Sequence, residues 1–281
     1  LRVVPESRNA AASHRFDVVG VLLAVLGLGA VTYALTIGPD RPGLVPWLIG
    51  AVGLLALAGF VVTERRSHHP MVPPRLFANR TFTAINIVTL LVYAGLAAAL
   101  LFLVLFLQVA AGWSALAAGA ATLPLSLMML LLASRFGAMA TAHGPRRYMI
   151  AGTLVAAAGF ALLGFAPSDP SYVAQILPGI SLVGLGLAML VAPLTGTVLA
   201  AAPDELSGTA SGVNNAVSRT AGLLAVAALP PLVGLSGAAY SDPVAMASGY
   251  RGAMWISAGL VAAGAVVTAV GLRPGASEPG T

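Results

Sequence analysis

Charged side chains are scarce in this sequence. Only 8% of the 281 residues are Asp, Glu, Lys or Arg, whereas 58% are hydrophobic. A soluble domain carries about 25% charged residues, because its surface must interact with water. The composition is therefore that of an integral membrane protein in a lipid bilayer. We attribute the net charge of +5 to basic residues beside the membrane, not to a nucleic-acid-binding surface.

Cysteine is absent, so disulfides, thiolate chemistry and Cys-bound zinc are excluded. The four His residues fall in loops, and the nine acidic residues fall in loops or at the ends of apolar segments. One of these acids, Asp17, is expected to cap the first helix. With no His, Asp or Glu cluster in any apolar segment, we expect no metal and no other cofactor. A membrane-embedded enzyme is disfavoured, because it would need a general acid, a general base or metal ligands.

Long apolar segments fill most of the chain. A helix needs roughly 20 apolar residues to cross a bilayer, and its backbone polar groups must be satisfied within the helix. The segments therefore predict an all-α integral membrane protein with eight transmembrane helices. The predicted spans are residues 18–37, 45–63, 83–108, 115–136, 148–166, 172–200, 207–229 and 252–272.

The distribution of Arg predicts the orientation, because basic residues accumulate in cytoplasmic loops. A cytoplasmic N-terminus would leave only Arg41 and Arg251 in outer loops and Arg219 inside a span. The remaining Arg residues would then be cytoplasmic: Arg2, Arg8, Arg15, Arg65, Arg66, Arg75, Arg80, Arg135, Arg146, Arg147 and Arg273. We expect both ends of the chain to be cytoplasmic. The start, LRVVPESRNAAASHRF, has neither an initiator Met nor a signal-peptide pattern, so we expect the chain to be part of a longer protein.

The stretch ASRFGAMATAHGPRRYMIAG, residues 133–152, brings charge back between the fourth and fifth spans. We predict a short cytoplasmic loop with Gly137 and Gly144 at its corners, because glycine permits tight turns. Arg146 and Arg147 would then lie at the membrane surface. These two residues either set the orientation of the chain in the membrane or take part in the function of the loop.

This loop resembles the signature of the major facilitator superfamily, which reads roughly Gly-x-x-x-Asp-Arg-x-Gly-Arg-Arg. The matching residues are Gly137, Gly144, Arg146 and Arg147, with Thr141 where the family has Asp. In that family the loop joins two helices of a six-helix half and acts as a conformational latch. The resemblance implies the same role here.

Further motifs are similar to one branch of that superfamily, the drug/proton antiporters with fourteen spans. They are RVVPESR with RFDVVG, ERRSHHPMVPPRLFANRTFTAIN, FLQVAAGWSALAAGAATLP and SGTASGVNNAVSRTAGLLAVA. The resemblance implies a cytoplasmic segment (1–16), two extra central helices (17–63), a cytoplasmic linker (64–80), the C-terminal six-helix bundle (81–272) and a cytoplasmic tail (273–281).

The seventh span carries a polar stripe. Ser207, Ser211, Asn215 and Arg219 recur every four residues and so share one face of the helix. Arg219 is the ionisable residue that lies well inside a span, and it either faces a cavity or snorkels to the interface. The glycines at 208 and 212 would allow a neighbouring helix to approach closely.

The third span carries a second polar face. Asn86, Thr89 and Tyr93 share this face, and Gln108 lies at the outer end of the span. The face either lines a substrate cavity or makes hydrogen bonds between helices. An uncharged polar and aromatic lining suits bulky amphipathic compounds.

These observations favour part of a transporter that exports small amphipathic substrates in exchange for protons across the plasma membrane of a prokaryote. The resemblance implies that the acids that couple protons to export belong to a missing N-terminal six-helix half. The alternatives are a major facilitator exporter of another small metabolite and a non-transporting membrane scaffold.

Overall fold

The computed structural model describes residues 17–67 and 70–272. These residues form helices and no strands. The α-helices are α1 (Val18–Ile37), α2 (Val45–Arg66), α3 (Pro74–Ala78), α4 (Arg80–Val109), α5 (Ala115–Ala120), α6 (Leu123–His143), α7 (Pro145–Leu163), α8 (Leu177–Ala200), α9 (Ser207–Leu232) and α10 (Pro243–Gly271). A π-helical turn (Tyr172–Ile176) precedes α8, and 3₁₀ turns (Asp204–Leu206 and Gly237–Ser241) precede α9 and α10.

Seven helical segments of the described chain are long and apolar enough to cross a membrane. One of them joins α5 to α6, and another joins the π-helical turn to α8. The predicted seventh span is also present, as the 26-residue helix α9, but its Ser, Asn and Arg residues make it less apolar than the others. The all-helical membrane fold is thus confirmed, and the count of eight spans stays a prediction.

The last helix begins earlier than its apolar segment suggests. Asp242 accepts a hydrogen bond from the Val244 amide at 2.9 Å, and Pro243 occupies the first turn, so the helix starts at residue 243 and not at 252. Both residues favour a helix start, because the first amides of a helix lack partners and proline has no amide hydrogen. Arg251 therefore lies within α10, and its predicted place in an outer loop is wrong.

The described helices pack in two groups. Helices α4 to α10 surround one core, and α1 and α2 form a hairpin whose α1 packs on α9. The core contains an aromatic pair, Phe106 of α4 and Tyr250 of α10, stacked with ring centroids 4.1 Å apart. The Tyr250 hydroxyl donates a hydrogen bond of 2.9 Å to the Leu163 carbonyl of α7, so three helices are tied together at this point.

Helices α7 and α8 approach each other closely through small residues. A Cβ atom at Gly152 would lie 2.6 Å from the Gly186 carbonyl oxygen, and one at Gly159 would lie 2.8 Å from that of Gly179. Small residues let helix backbones approach each other in a membrane. By contrast, a Cβ atom at Gly208 or Gly212 would meet no described atom within 4 Å. Within the described residues these two glycines therefore pack against no other helix, and close approach of a helix there stays a prediction.

Candidate functional site

Helices α4 and α9 are joined by a small group of polar side chains. The Asn214 side-chain amide donates to Asn86 Oδ1 at 3.2 Å and to Thr89 Oγ1 at 2.8 Å. Asn86 in turn donates to the Phe82 carbonyl at 2.9 Å. Asn86 is 5% exposed and Thr89 is fully buried. The sequence left open whether Asn86 and Thr89 line a substrate cavity or make hydrogen bonds between helices. In the structure both residues make hydrogen bonds between α4 and α9.

Asn214 does not stand out in the sequence, because its neighbour Asn215 continues the four-residue repeat of polar side chains. A signal for it does exist. Asn214 lies four residues after Ala210 and seven residues before Ala221, both of which are buried. It is therefore an amide within the apolar face of α9, which is where an interhelical hydrogen bond is expected.

A cavity of about 600 Å³ opens beside this polar group, further along the same two helices. Its polar lining consists of Tyr93 from α4 and Asn215, Ser218 and Arg219 from α9. The apolar lining consists of Leu96, Ala97, Leu100, Gly222, Leu223 and Val226. Arg219 is exposed, so its guanidinium is accessible from the cavity.

The chemistry of the cavity is mostly apolar with one positive charge. Among the residues that line it there is no Asp or Glu to neutralise Arg219. A pocket with apolar walls and a few polar groups binds an amphipathic molecule by burying its apolar part and orienting its polar part. The free guanidinium adds five hydrogen-bond donors and favours acceptor or anionic groups on that molecule.

The other five predicted cavity residues separate into three groups. Tyr93, Asn215 and Arg219 line the cavity together. Ser211 is exposed and lies outside it. Gln108 is near the far end of α4 and donates to the Val104 carbonyl of its own helix at 3.2 Å. A role of any of these residues in binding substrate stays a prediction.

The segment 133–152 is not the loop that the sequence predicted. Helix α6 continues to His143 and α7 begins at Pro145, so the two helices are separated by Gly144 alone. Gly144 has φ of +86°, a conformation that favours glycine. Gly137 lies within α6, where a Cβ atom would be 3.2 Å from that of Ala192, and Thr141 Oγ1 donates to the Gly137 carbonyl at 3.0 Å. The prediction of Gly137 as a corner is wrong, because the surrounding Ala, Met and Arg residues favour a continuous helix.

Arg146 makes a contact with a distant helix. Its Nη2 donates a hydrogen bond of 2.8 Å to the Ala269 carbonyl in the last turn of α10. Arg80, at the start of α4, donates in the same way to the neighbouring Val270 carbonyl at 2.9 Å. The last carbonyls of a helix lack partners within the helix and carry partial negative charge, so two guanidinium groups stabilise this end. We call Arg80 and Arg146 the helix-end clamp.

Arg146 and Arg147, the two adjacent Arg residues that match the family signature, have different environments. Arg147 is exposed, whereas Arg146 is partly buried and its Nε finds no acceptor in the described chain. Asn79 adds a similar contact, a 2.9 Å hydrogen bond from its amide to the Ala201 carbonyl that follows α8. The starts of α4 and α7 and the ends of α8 and α10 therefore lie at one end of the bundle.

The sequence is similar to a protein-family model and to several curated proteins. The model described as "Major Facilitator Superfamily" matches residues 2–227. Similar proteins include the "Puromycin resistance protein pur8" of Streptomyces alboniger, 33% identical over 85% of this chain and 48% of the relative. The "Quinolone resistance protein NorB" of Staphylococcus aureus (strain MRSA252) is 29% identical over 86% of this chain and 51% of the relative. The "Multidrug transporter protein MdtP" of Bacillus subtilis (strain 168) is 28% identical over 68% of this chain and 36% of the relative.

The chain spans about half the length of the first two of these relatives. The family match covers most of the apolar helices and includes both the cavity and the residues of the helix-end clamp on α4 and α7. The all-helical fold, with several helices able to span a bilayer, is the fold that the resemblance of its motifs implied. The chain is therefore a multi-pass membrane protein that belongs to the Major Facilitator Superfamily, a family of transporters.

Proposed function

We propose that this chain is the C-terminal part of a proton-coupled multidrug efflux transporter that works by alternating access. The observation that carries the proposal is the cavity between α4 and α9, with its apolar walls and the polar side chains of Tyr93, Asn215 and Arg219. The similarity to a puromycin resistance protein, a quinolone resistance protein and a multidrug transporter protein supports small amphipathic substrates.

The exposed face of α9 supports a missing partner half. Ser211, Asn215 and Arg219 are exposed on this helix, and no described atom lies near the Cβ positions of Gly208 and Gly212. Polar and ionisable groups within a bilayer are costly in contact with lipid and normally face a water-filled cavity or another helix. A second six-helix half that packs opposite α9 would supply both a water-filled cavity and neighbouring helices, with the substrate site between the two halves.

The distribution of acidic residues supports proton coupling through that second half. The acids of the described chain lie in loops or in end turns of helices: Asp17, Asp40, Glu64, Asp169, Asp204, Glu205 and Asp242. Transporters usually place their coupling acids within the membrane. Sequencing the coding region upstream of Leu1 is expected to reveal six further apolar spans with at least one intramembrane acid.

Arg219→Ala tests the substrate cavity in the full-length transporter, measured as efflux of an amphipathic fluorescent dye from energised cells. Loss of a charged hydrogen-bonding group costs about 1.5–3 kcal/mol, or about ten- to one-hundredfold in apparent affinity. Arg251→Ala is the matched control, since Arg251 is an exposed Arg on α10 outside the cavity. Arg273→Ala, a change at a terminal topology charge outside the described residues, is also expected to be mild.

Arg219→Lys separates charge from geometry, because Lys keeps the charge but loses the planar guanidinium. Equal and small effects of Arg219→Ala and Arg251→Ala would refute a role of Arg219 in the cavity and favour the snorkelling interpretation. Export of only one metabolite in a panel of compounds would favour the metabolite exporter. Failure of the full-length protein to move any compound would favour the membrane scaffold.

A further inference from the structure

Two carboxyl groups meet at the end of the α1–α2 hairpin. Asp17 is the N-cap of α1, and its Oδ1 accepts a hydrogen bond of 2.8 Å from the Gly20 amide. Glu64 belongs to the last turn of α2 and is 4% exposed. Its Oε2 accepts a hydrogen bond of 2.9 Å from the Val72 amide in the segment that leads to α3. Each carboxyl therefore uses one oxygen to hold the backbone.

The second oxygens of the two carboxyl groups approach each other. The position that a Cβ atom of Gly20 would occupy is 2.7 Å from Asp17 Oδ2 and 3.2 Å from Glu64 Oε1. Both oxygens are buried, and neither has a hydrogen-bond partner among residues 17–67 and 70–272. The pair thus lies within the range of about 6 Å over which one carboxylate opposes the ionisation of another.

The groups around the pair offer it no compensating cation within the described residues. Arg65 and Arg66 follow Glu64 on α2 and are exposed, and successive residues of a helix point in different directions. Arg75 of α3 is also exposed, and Arg219 of α9 lies in the cavity against α4. Burial raises the pKa of Glu64 and the nearby Asp17 raises it further, whereas the backbone amides of Val72 and Met71 act in the opposite direction.

We propose that Asp17 and Glu64 form a proton-binding site that holds one proton between Asp17 Oδ2 and Glu64 Oε1. Two ionised carboxylates in this position would both be acceptors, so both buried oxygens would stay without a partner. A proton on one carboxyl turns it into a donor, and rotation of the two side chains toward each other directs the O–H to the other oxygen. One bound proton thus removes the repulsion and satisfies both groups.

Such a proton would link the helix hairpin to the chain that leads into the bundle. Loss of the proton leaves two like charges side by side, and Glu64 also holds the Val72 amide. This site lies outside the α4–α9 cavity and does not depend on the transport proposed above.

The test measures the titration of Glu64 by NMR in the full chain, with ¹³C-labelled Glu carboxyl groups, in lipid nanodiscs. The chain contains four Glu residues, and loss of one signal in Glu64→Gln assigns that of Glu64. In the wild type we expect the Glu64 midpoint to lie above those of the other three Glu residues. Asp17→Asn is expected to lower the midpoint, because Asn removes the charge but retains a side-chain oxygen for the N-cap.

Asp242→Asn is the matched control, since Asp242 is also a helix N-cap whose Oδ1 accepts a backbone amide. It is expected to leave the Glu64 midpoint unchanged. A Glu64 midpoint equal to those of the other Glu residues, or one that Asp17→Asn does not lower, would overturn the proposal. A midpoint that moves when sodium replaces choline at constant ionic strength would assign the site to a metal cation and also overturn it.

Discussion

Asn214 is expected to hold α9 against α4, and Asn214→Ala is the change that tests this. The substitution removes two interhelical hydrogen bonds, of 3.2 Å to Asn86 and 2.8 Å to Thr89. Both acceptors are buried, so water does not readily replace the lost amide. The variant should therefore lower the free energy of unfolding without changing any residue of the cavity lining.

The size of the effect follows from the membrane environment. Hydrogen bonds between membrane helices contribute about 0.6 kcal/mol on average and up to about 1.7 kcal/mol. Two such bonds give roughly 1–3 kcal/mol. The Thr89 hydroxyl can turn to a carbonyl of its own helix, which recovers part of the loss. We therefore expect Asn214→Ala to destabilise the chain by about 1–2 kcal/mol.

Asn215→Ala provides a control with the same chemical change at the adjacent residue. Asn215 is exposed and lines the cavity, so its loss should change the free energy of unfolding by less than about 0.5 kcal/mol. In the full-length transporter it should instead weaken substrate binding. Reversible unfolding of both variants by SDS in mixed micelles measures the difference.

A double-mutant cycle with Thr89→Val isolates the contact itself. The two changes should be non-additive, with a coupling energy of about 0.5–1.5 kcal/mol, because they remove the same hydrogen bond. Equal destabilisation by the two Asn variants, or a coupling energy near zero, would refute the reasoning. In that case α4 and α9 would be held by apolar packing alone.

Three further predictions follow from the helix-end clamp, the Arg distribution and the acidic residues. Arg146→Ala should speed amide exchange in the last turn of α10 by about tenfold, because Arg146 donates to the Ala269 carbonyl. Arg147→Ala should leave this exchange unchanged, because Arg147 is exposed. Equal exchange in the two variants would contradict the clamp. A reporter that is active only in the cytoplasm should be active when fused after Arg66, Arg147 or Arg273. It should be silent when fused near Pro39, Gly112 or Asp169. The opposite result at two or more sites would overturn the eight-span topology. The isolated chain in liposomes should not move substrate in response to a pH gradient; movement that disappears when the gradient collapses would place proton coupling within this chain.

The sequence by itself determined the class of the protein and the positions of most helices. Length and apolarity decide whether a segment spans a bilayer, and both are properties of a continuous stretch of chain. Helix α1 and the segment from the π-helical turn to the end of α8 therefore begin and end where they were predicted. The family resemblance was also available from the sequence, because it depends on residue types at fixed spacing.

The end of α6 and the start of α10 were less predictable. Gly137 and Arg251 were placed outside helices because glycine and charge usually mark the ends of membrane spans. The structure places both within helices, where Gly137 packs beside Ala192 and the cap at Asp242 starts α10 before Arg251. Local composition indicates where a span lies but not how far its helix continues beyond the apolar part.

Only the tertiary structure decided which polar residues work together. Asn214 and Asn215 are adjacent, as are Arg146 and Arg147, yet in each pair one residue contacts a distant helix and the other is exposed. Successive residues point about 100° apart around a helix, so their environments depend on which neighbours pack beside that helix. The meeting of Asp17 and Glu64 likewise required α1 and α2 to fold back on each other, because the interaction of two charges depends on their distance in space and not along the chain.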